Sequence, residues 1–370
     1  MSRFQRAFVL ASGLLLAACA AVNPYYDAAR AHHRPDGFVN SNQALSIGQL
    51  PWYEITWRRL RGDFRPVAPP AGGYEQFAAT WSTPVDLSLL QSRSETPRIT
   101  WLGHAGLLLQ LAGRNILIDP QLSDFAGPFR QLSAPRRVPA PLRPEDLPPI
   151  DYVLISHNHY DHLDQATIQR LMAAGQHPRF LVPLGVKAWF TEQGIDKVEE
   201  LDWWDEVADG SLRIHFTPAQ HWSKRTPFDT NLSLWGGFAV IHANPAPWRF
   251  LYTGDTGYSA DFREIRRRLG AIDLLAVPVG AYLPRDFMAP QHTDPDDAVR
   301  IMLDVEAKQA LGVHWGTFAL TQEPFDQPPV DVAEALARHQ LDIDRIWMLR
   351  HGETRKLDLM QNNQQIQQQR

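Results

Sequence analysis

Apolar positions recur every second residue in some stretches and every third or fourth in others. Ile99–Leu102, Leu107–Leu111 and Asn115–Ile118 read as strands, and Ala112-Gly113-Arg114 between the last two is a hairpin signal. Asp151–Ser156 has the apolar centre of a buried strand, and Gln165–Ala174 is helical up to Gly175. Further strands are predicted over Arg179–Pro183, Leu212–Thr217, Leu232–Ile241 and Trp248–Thr253. A helix over Asp261–Leu269 precedes a strand over Leu274–Val279. Asp294 caps a helix over Pro295–Lys308, which leads into a strand at Ala310–His314. Val330–His339 is the last helix and Arg345–Leu349 the last strand. Strands outnumber helices before Thr253 and alternate with them afterwards, an order that fits an α/β fold of two sheets covered by outer helices.

The ends depart from this pattern. Arg3 and Arg6 precede a short apolar run, Phe8–Ala18, too short to span a bilayer, which reads as a secretory signal. Leu16-Ala17-Ala18-Cys19 resembles a bacterial lipobox, and Cys19 is the only cysteine in the chain, so it has no internal disulfide partner. The expectation is a signal peptide over 1–18 and lipidation of Cys19, with Ala20 at the next position resembling an outer-membrane sorting choice. Residues 19–95, with prolines at 24, 35, 51, 66, 69, 70 and 84, read as a tether and wrapping segment in which Trp52, Tyr53 and Trp57 anchor on the body. Residues 96–355 are expected to form one main domain, and the Gln/Asn-rich stretch 356–370 a polar tail. Hydrophobic residues make up 44% and charged residues 21%, ordinary for a globular chain, and a net charge of −5 argues against a nucleic-acid partner held by a broad basic surface.

The candidate chemistry lies in Ile155-Ser156-His157-Asn158-His159-Tyr160-Asp161-His162-Leu163-Asp164. Three histidines and a carboxylate within six residues, at the end of a buried strand, can converge on a small volume as metal ligands. Remaining ligands must come from elsewhere, and four residues at strand ends or Gly-rich turns fit: His104, His221, Asp255 and His314. Asp119, after Ile116-Leu117-Ile118, is a candidate for orienting a ligand histidine or for capping its turn. Lys224 and Arg225 either steer a phosphate or are solvated. His32, His33, His177, His215, His242, His339 and His351 carry no signal of a convergent partner. Trp222 and Trp315 are expected to wall the pocket. Trp189, Phe190, Trp203 and Trp204 read as core residues, with a membrane-facing patch as the alternative.

The His-x-His-x-Asp-His motif, followed by an isolated His, an Asp in a Thr-Gly-Asp turn and a late His, resembles the metallo-β-lactamase superfamily. Six blocks in order narrow the resemblance to its N-acylphosphatidylethanolamine-hydrolysing phospholipase D family: Ser156–Asp164, Pro218–Thr226, Gly254–Tyr258, Pro278–Arg285, Gln291–Pro295 and His314–Phe318. They cover about residues 99–353. Ser223, Gly106 and Ala289-Pro290 depart from the family's usual residues, which bears on substrate range.

The resemblance implies an αββα sandwich of two mixed sheets with outer helices. It implies two Zn2+ per chain, another divalent metal being an alternative. His157, His159 and His221 would hold the first, Asp161, His162 and His314 the second, with Asp255 bridging. Asp at the bridging place and His, rather than Glu, at 159 resemble the hydrolases of the superfamily, not its β-lactamases or its diiron members. His104, Asp119 and Gln220 would stand behind the metals or near substrate, and His292, with Asp161 and Asp255, would act in catalysis. The implied reaction is attack of a metal-bridging hydroxide on a phosphodiester, giving N-acylethanolamine and phosphatidic acid. Implied partners are the phospholipid substrate, an envelope membrane reached through Cys19, and a second copy, since members of the family can be dimers. Two other readings stay open. One is a hydrolase of a small phosphodiester, lactone or amide on the same scaffold. The other is an envelope lipoprotein with a non-enzymatic role in drug tolerance.

Overall fold

The computed structural model describes residues 23–42, 52–62, 67–243 and 247–357. Two seven-stranded sheets form its body. The first takes β1 (Arg98–Gly103), β2 (Gly106–Leu111), β3 (Arg114–Ile118), β4 (Tyr152–Leu154), β5 (Arg179–Pro183) and β6 (Val198–Leu201). The second takes β7 (Glu206–Asp209), β8 (Leu212–Thr217), β9 (Gly237–His242), β10 (Trp248–Tyr252), β11 (Leu274–Pro278), β12 (Gln309–Val313) and β13 (Ile346–Trp347). The last strand, β14 (Thr354–Lys356), returns to the first sheet beside β1. The spatial orders are β6-β5-β4-β3-β2-β1-β14 and β7 through β13 in sequence. Both sheets are mixed: β3 to β6 run parallel, as do β10 to β13, and the remaining pairs are antiparallel.

The central strands are apolar throughout because both faces are covered. Leu107, Leu109, Ile116, Ile118, Leu154 and Leu181 point into the core shared with Phe216, Phe238, Val240 and Phe250 of the second sheet. Their alternates Leu108, Leu117, Val153, Phe180 and Val182 point the other way, onto helices α4 (Gln165–Ala173) and α5 (Lys187–Glu192) through Ile168, Leu171 and Phe190. Phe262 and Ile265 of α6 (Asp261–Leu269), Val299 and Met302 of α8 (Pro295–Asp304), and Val332 and Leu336 of α9 (Pro328–Arg338) join the larger core. Short α7 (Arg285–Met288) lies between α6 and α8 in the chain.

Differences from the predicted elements have local causes. The strand expected over Leu232–Ile241 begins only at Gly237, because Asn231 is left-handed (φ 57°) and Leu232 N–H closes a turn onto the Asp229 carbonyl. The helix expected to run to Lys308 stops at Asp304, where the chain turns out through left-handed Glu306 (φ 48°). Strands β6, β7 and β14, and helices α5 and α7, were not expected: they are short, or polar on one face. Residues 52–91 contain α1 (Trp52–Arg61), α2 (Gly73–Trp81) and α3 (Leu87–Gln91). Of the expected anchors, Tyr53 and Trp57 are more than half exposed, and the side chain of Trp52 lies outside the described residues. Phe190 and Trp203 are buried, and Trp189 and Trp204 lie under the guanidinium groups of Arg225 and Arg268, so these four form no exposed patch. Cys19, the signal segment and the tail beyond residue 357 lie outside the described residues.

Residues 23–42 form a strap across the body. Asn23 donates to the carbonyls of Arg34 and Gly37, and Phe38 N–H donates to the Asn231 carbonyl. His32 Nε2 and His33 Nε2 meet opposite oxygens of Asp202 at 2.6 and 3.0 Å, with Arg30 at 3.1 Å. His32 and His33 therefore do have a convergent partner, contrary to the sequence reading. It lies 170 and 169 residues away.

Candidate metal centre

The site residues sit at the carboxyl ends of the parallel strands, where chain direction reverses and side chains can converge. Asp119 follows β3, His157 follows β4, Asp255 follows β10 and His314 follows β12, while His221 follows the antiparallel β8. His104 occupies the β1–β2 turn. His104, Asp119 and His314 are left-handed (φ 51°, 39° and 62°), a conformation that costs about 1–3 kcal/mol each and that a packed surround must enforce. Gly280 is part of that surround: a Cβ there would come within 2.3 Å of the His314 carbonyl oxygen.

Two clusters form. His157 Nε2 and His221 Nε2 lie 2.8 and 3.2 Å from His159 Nδ1. His162 Nε2 and His314 Nε2 lie 3.7 and 3.4 Å from Asp161 Oδ2. Asp255 Oδ2 stands between them, 3.1 Å from both His162 Nε2 and His314 Nε2 and 4.0 and 3.9 Å from His157 Nε2 and His221 Nε2. The grouping divides these seven residues as the resemblance does. Burial holds His157 well below its usual pKa and drives His159 to about 3 and His221 to about 4, so these rings present lone pairs rather than charge. Burial also opposes charge on His162 and His314, but Asp255 and Asp161 outweigh it, holding His162 well above its usual value and raising His314 to about 9.

Buried polar atoms are normally hydrogen-bonded. Here His159 Nε2, His292 Nδ1, His314 Nδ1 and Nε2, and Asp255 Oδ1 are buried without a hydrogen-bond partner. Imidazole nitrogens packed 2.8–3.2 Å apart beside carboxylates, with further ring nitrogens and an Asp255 oxygen unsatisfied around them, are what a divalent cation with nitrogen and oxygen ligands requires. The donor set therefore fits metal ions.

Outer atoms of the same rings are fixed from behind. His157 Nδ1 lies 2.8 Å from Ser156 Oγ, His162 Nδ1 2.7 Å from Asp119 Oδ2, and His221 Nδ1 2.9 Å from the Gln291 carbonyl oxygen. Asp119 also accepts from Ser156 N–H, Ser156 Oγ and the buried Tyr252 hydroxyl. His104 Nε2 is 3.0 Å from Asp161 Oδ2, and burial drives its pKa to about 3. The His104 backbone is held by Thr317 Oγ1, which contacts buried His351. Asn40 Oδ1, on the strap, accepts from the His221 N–H and from Trp235 Nε1. Sequence reasoning missed Asn40, Ser156, Tyr252, Thr317 and the Gln291 carbonyl.

Above the clusters opens a cavity of about 1020 Å³. His159, Asp161, Asp255 and His292 line its floor, and its walls include Val67, Trp222, Leu283, Phe287, Met288 and Leu320. Trp222 walls it as expected. Trp315 does not, being buried and stacked on Trp101. His292 Nδ1 is 4.0 Å from Asp255 Oδ2, and burial holds its ring well below its usual pKa. The cap of α8 is Asp294, which accepts from Asp297 N–H. Lys224 and Arg137 bring cations to the cavity, the latter over the Tyr74 ring with Nε buried and unbonded. Arg225 also lines the cavity, and its Nη1 donates to the carbonyls of Asn158 and Leu163, so it braces the loop 157–162. Gln220 bridges the Pro290 carbonyl and the Asn42 side chain and does not turn to the cavity.

Comparison with known proteins bears on this arrangement. A family model described as a β-lactamase superfamily domain matches residues 114–315. N-acyl-phosphatidylethanolamine-hydrolyzing phospholipase D 1 of Caenorhabditis elegans is 39% identical over 269 residues, covering 67% of this chain and 74% of that protein. The mitochondrial protein of the same description in Saccharomyces cerevisiae is 38% identical over 267 residues, covering 70% of this chain but only 56% of its own length. An isothiocyanate hydrolase from Delia radicum gut bacteria superposes with a TM-score of 0.57 at 23% identity, covering 70% of this chain and 99% of that one, a likeness of fold.

Proposed function

Since the chain belongs to the metallo-β-lactamase superfamily, we propose that it is a metal-dependent phosphodiesterase of phospholipase D type that cleaves N-acylphosphatidylethanolamine or a related glycerophospholipid. The protein is a metal-dependent hydrolase, the class to which its relatives belong. The phospholipase reading rests chiefly on one observation: the His/Asp clusters form the floor of a cavity whose walls are largely apolar and carry three cationic side chains, Arg137, Lys224 and Arg225. A polar phosphodiester fits the floor and acyl chains fit the walls.

On this reading His157, His159 and His221 would hold one zinc ion and Asp161, His162 and His314 a second, with Asp255 placed between the two groups. Bound zinc would supply Lewis acidity and a water acidified toward neutral pH. The chain's own residues do the rest. Asp119, Ser156 and the Gln291 carbonyl fix ring orientation. His104 aligns the Asp161 carboxylate. Neutral His292 offers substrate a hydrogen bond, and Arg137 and Lys224 offset phosphate charge. Water attacks phosphorus, the bond to the ethanolamine oxygen breaks, and that oxygen leaves with a proton as N-acylethanolamine, with phosphatidic acid as the other product. A lipid on Cys19 would tether the enzyme to an envelope membrane, of which the outer membrane fits the residue after the cysteine.

The test is incubation of the protein with N-acylphosphatidylethanolamine and zinc, with products identified by mass. Both N-acylethanolamine and phosphatidic acid are expected. Absence of both, with turnover of a soluble phosphodiester or lactone, would instead support the small-substrate hydrolase.

A further inference from the structure

A second place in the molecule gathers metal-ligating side chains, and none of them lines the cavity. Asp202 lies in the turn from β6 to β7, where the chain passes from the first sheet to the second. His32 and His33 come to it from the strap, and all three residues are buried. Their ligand atoms lie within 4.8 Å of one another. The two rings stand edge to face, with centroids 4.5 Å apart at 89°. His157 and His159 of the first cluster are arranged in the same way, at 4.5 Å and 81°. Both strap rings are clamped: His32 stacks on Trp203 at 4.2 Å, and His33 meets Phe38 edge-on at 5.0 Å. The Asp202 carboxylate is oriented by the Trp203 N–H, which donates to Oδ1 at 2.7 Å.

The proton count at His33 calls for a cation. Its Nδ1 is 2.8 Å from the Tyr25 carbonyl oxygen, which can only accept, so this nitrogen carries the ring proton. The Asp27 N–H also faces Nδ1, at 3.3 Å, but a lone pair 2.8 Å from the carbonyl would be repelled, and the shorter contact decides. In the neutral ring Nε2 then turns a lone pair toward Asp202 Oδ2 at 3.0 Å. Such a buried contact needs positive charge between the two atoms. A proton would serve His33 alone. A divalent ion would use the lone pairs of both rings together with the carboxylate, and two imidazoles with one carboxylate are a set of three protein ligands that suits zinc, with water in the fourth position. Burial would raise the Asp202 carboxyl, but His32 and His33 hold it below its usual range, in the ligating form. Arg30 reaches Oδ2 at 3.1 Å from a side chain that is 42% exposed, so it can turn into water when an ion takes that oxygen.

We propose that His32, His33 and Asp202 form a structural site for a divalent transition ion, with zinc the best match, which fastens the strap to the turn between the two sheets. This ion is separate from those of the catalytic reading and does not depend on it. It would join residues 170 and 169 positions apart. Its effect reaches the first cluster along the strap, because Asn40 Oδ1 accepts from the His221 N–H.

The test uses the full chain and zinc alone. After saturation and removal of loose metal, the metal content of the parent is compared with that of His33→Gln and Asp202→Asn. Each variant should hold one zinc ion per chain fewer than the parent, whatever number the cavity floor takes. Equal content in parent and variants would overturn the proposal. Trypsin reads the strap directly, since Arg30 and Arg34 lie in it. With zinc at about ten times its Kd, cleavage at these residues should slow about tenfold more in the parent than in His33→Gln. An equal response in the two would overturn the fastening. If the variants fail to fold, nitrogen NMR of ring-labelled histidine in the zinc-loaded parent still decides. His33 should carry one ring proton, on Nδ1, with an Nε2 signal that shifts on chelation. Protons on both nitrogens would make the contact an ion pair and sink the site. A parent that hydrolyses no phospholipid would remove the assigned function and leave the ion count as it stands.

Discussion

Asp119 shows how much one carboxylate can organise. It accepts from Ser156 N–H, Ser156 Oγ, the Tyr252 hydroxyl and the His162 ring, all from within a buried, left-handed turn. Asp119→Asn turns one acceptor oxygen into a donor facing donors. Metal affinity should fall roughly 10–100-fold, as for other residues that orient a ligand histidine, and chelator competition would measure it. Asp255→Asn should keep the fold, by circular dichroism, and abolish turnover. Full activity with unchanged metal content would sink the assigned mechanism. His351 gives a pH dependence away from the ligands. Burial drives its pKa from 6.5 to about 3, so the unfolded chain binds the proton that the folded one refuses. Stability should therefore be complete above about pH 6.5 and fall as pH drops toward 3, visible as a falling Tm that flattens in His351→Gln. At this scale the sequence was legible where ligands were dense, as in residues 157–162, or stood beside a glycine turn, as Asp255 does. It was silent on Asn40 and the Gln291 carbonyl. An ordinary side chain and a backbone oxygen acquire their roles only when segments 181 and 70 residues apart meet.

Among the elements, the strap and the brace matter most to the site. The strap reaches the first cluster through Asn40, so Asn40→Ala should weaken activity and metal binding together. The loss of a hydrogen bond that leaves His221 N–H buried costs about 1–3 kcal/mol. Isothermal titration with zinc would record it, and Asn40→Asp, which keeps the acceptor, should recover most of it. Strands were legible because their runs are apolar on both faces, as in Leu107–Leu111 and Leu274–Pro278. The N-terminal helices were not, since prolines bracket them and α1 turns its aromatic side to solvent. The bracing contacts of Arg225 were not legible for a related reason: sequence cannot show that the carbonyls of Asn158 and Leu163 are its partners.

Across the whole molecule, the ligands come from strand ends of both sheets, between His157 and His314, and the first sheet is completed only by β14. Bound metal therefore stabilises the tertiary fold rather than one loop. Removing it with a chelator should lower Tm by several degrees: a ligand at 100 times its Kd contributes about 2.7 kcal/mol. Zinc should restore the loss better than calcium, because the imidazole-rich set suits zinc, as differential scanning calorimetry would show. The strap has one more consequence. Its first latched residue, Asn23, stands four positions after Cys19, and a fully extended stretch of that length reaches only about 14 Å. The loop Ser223–Asn231, which carries Phe228, is clasped by Asn231 N–H on the Ser223 carbonyl and touches the strap at Phe38. A lipid at Cys19 would therefore be a short leash rather than a long one. It would let the enzyme roll but not roam, keeping the cavity mouth within a short reach of the bilayer surface.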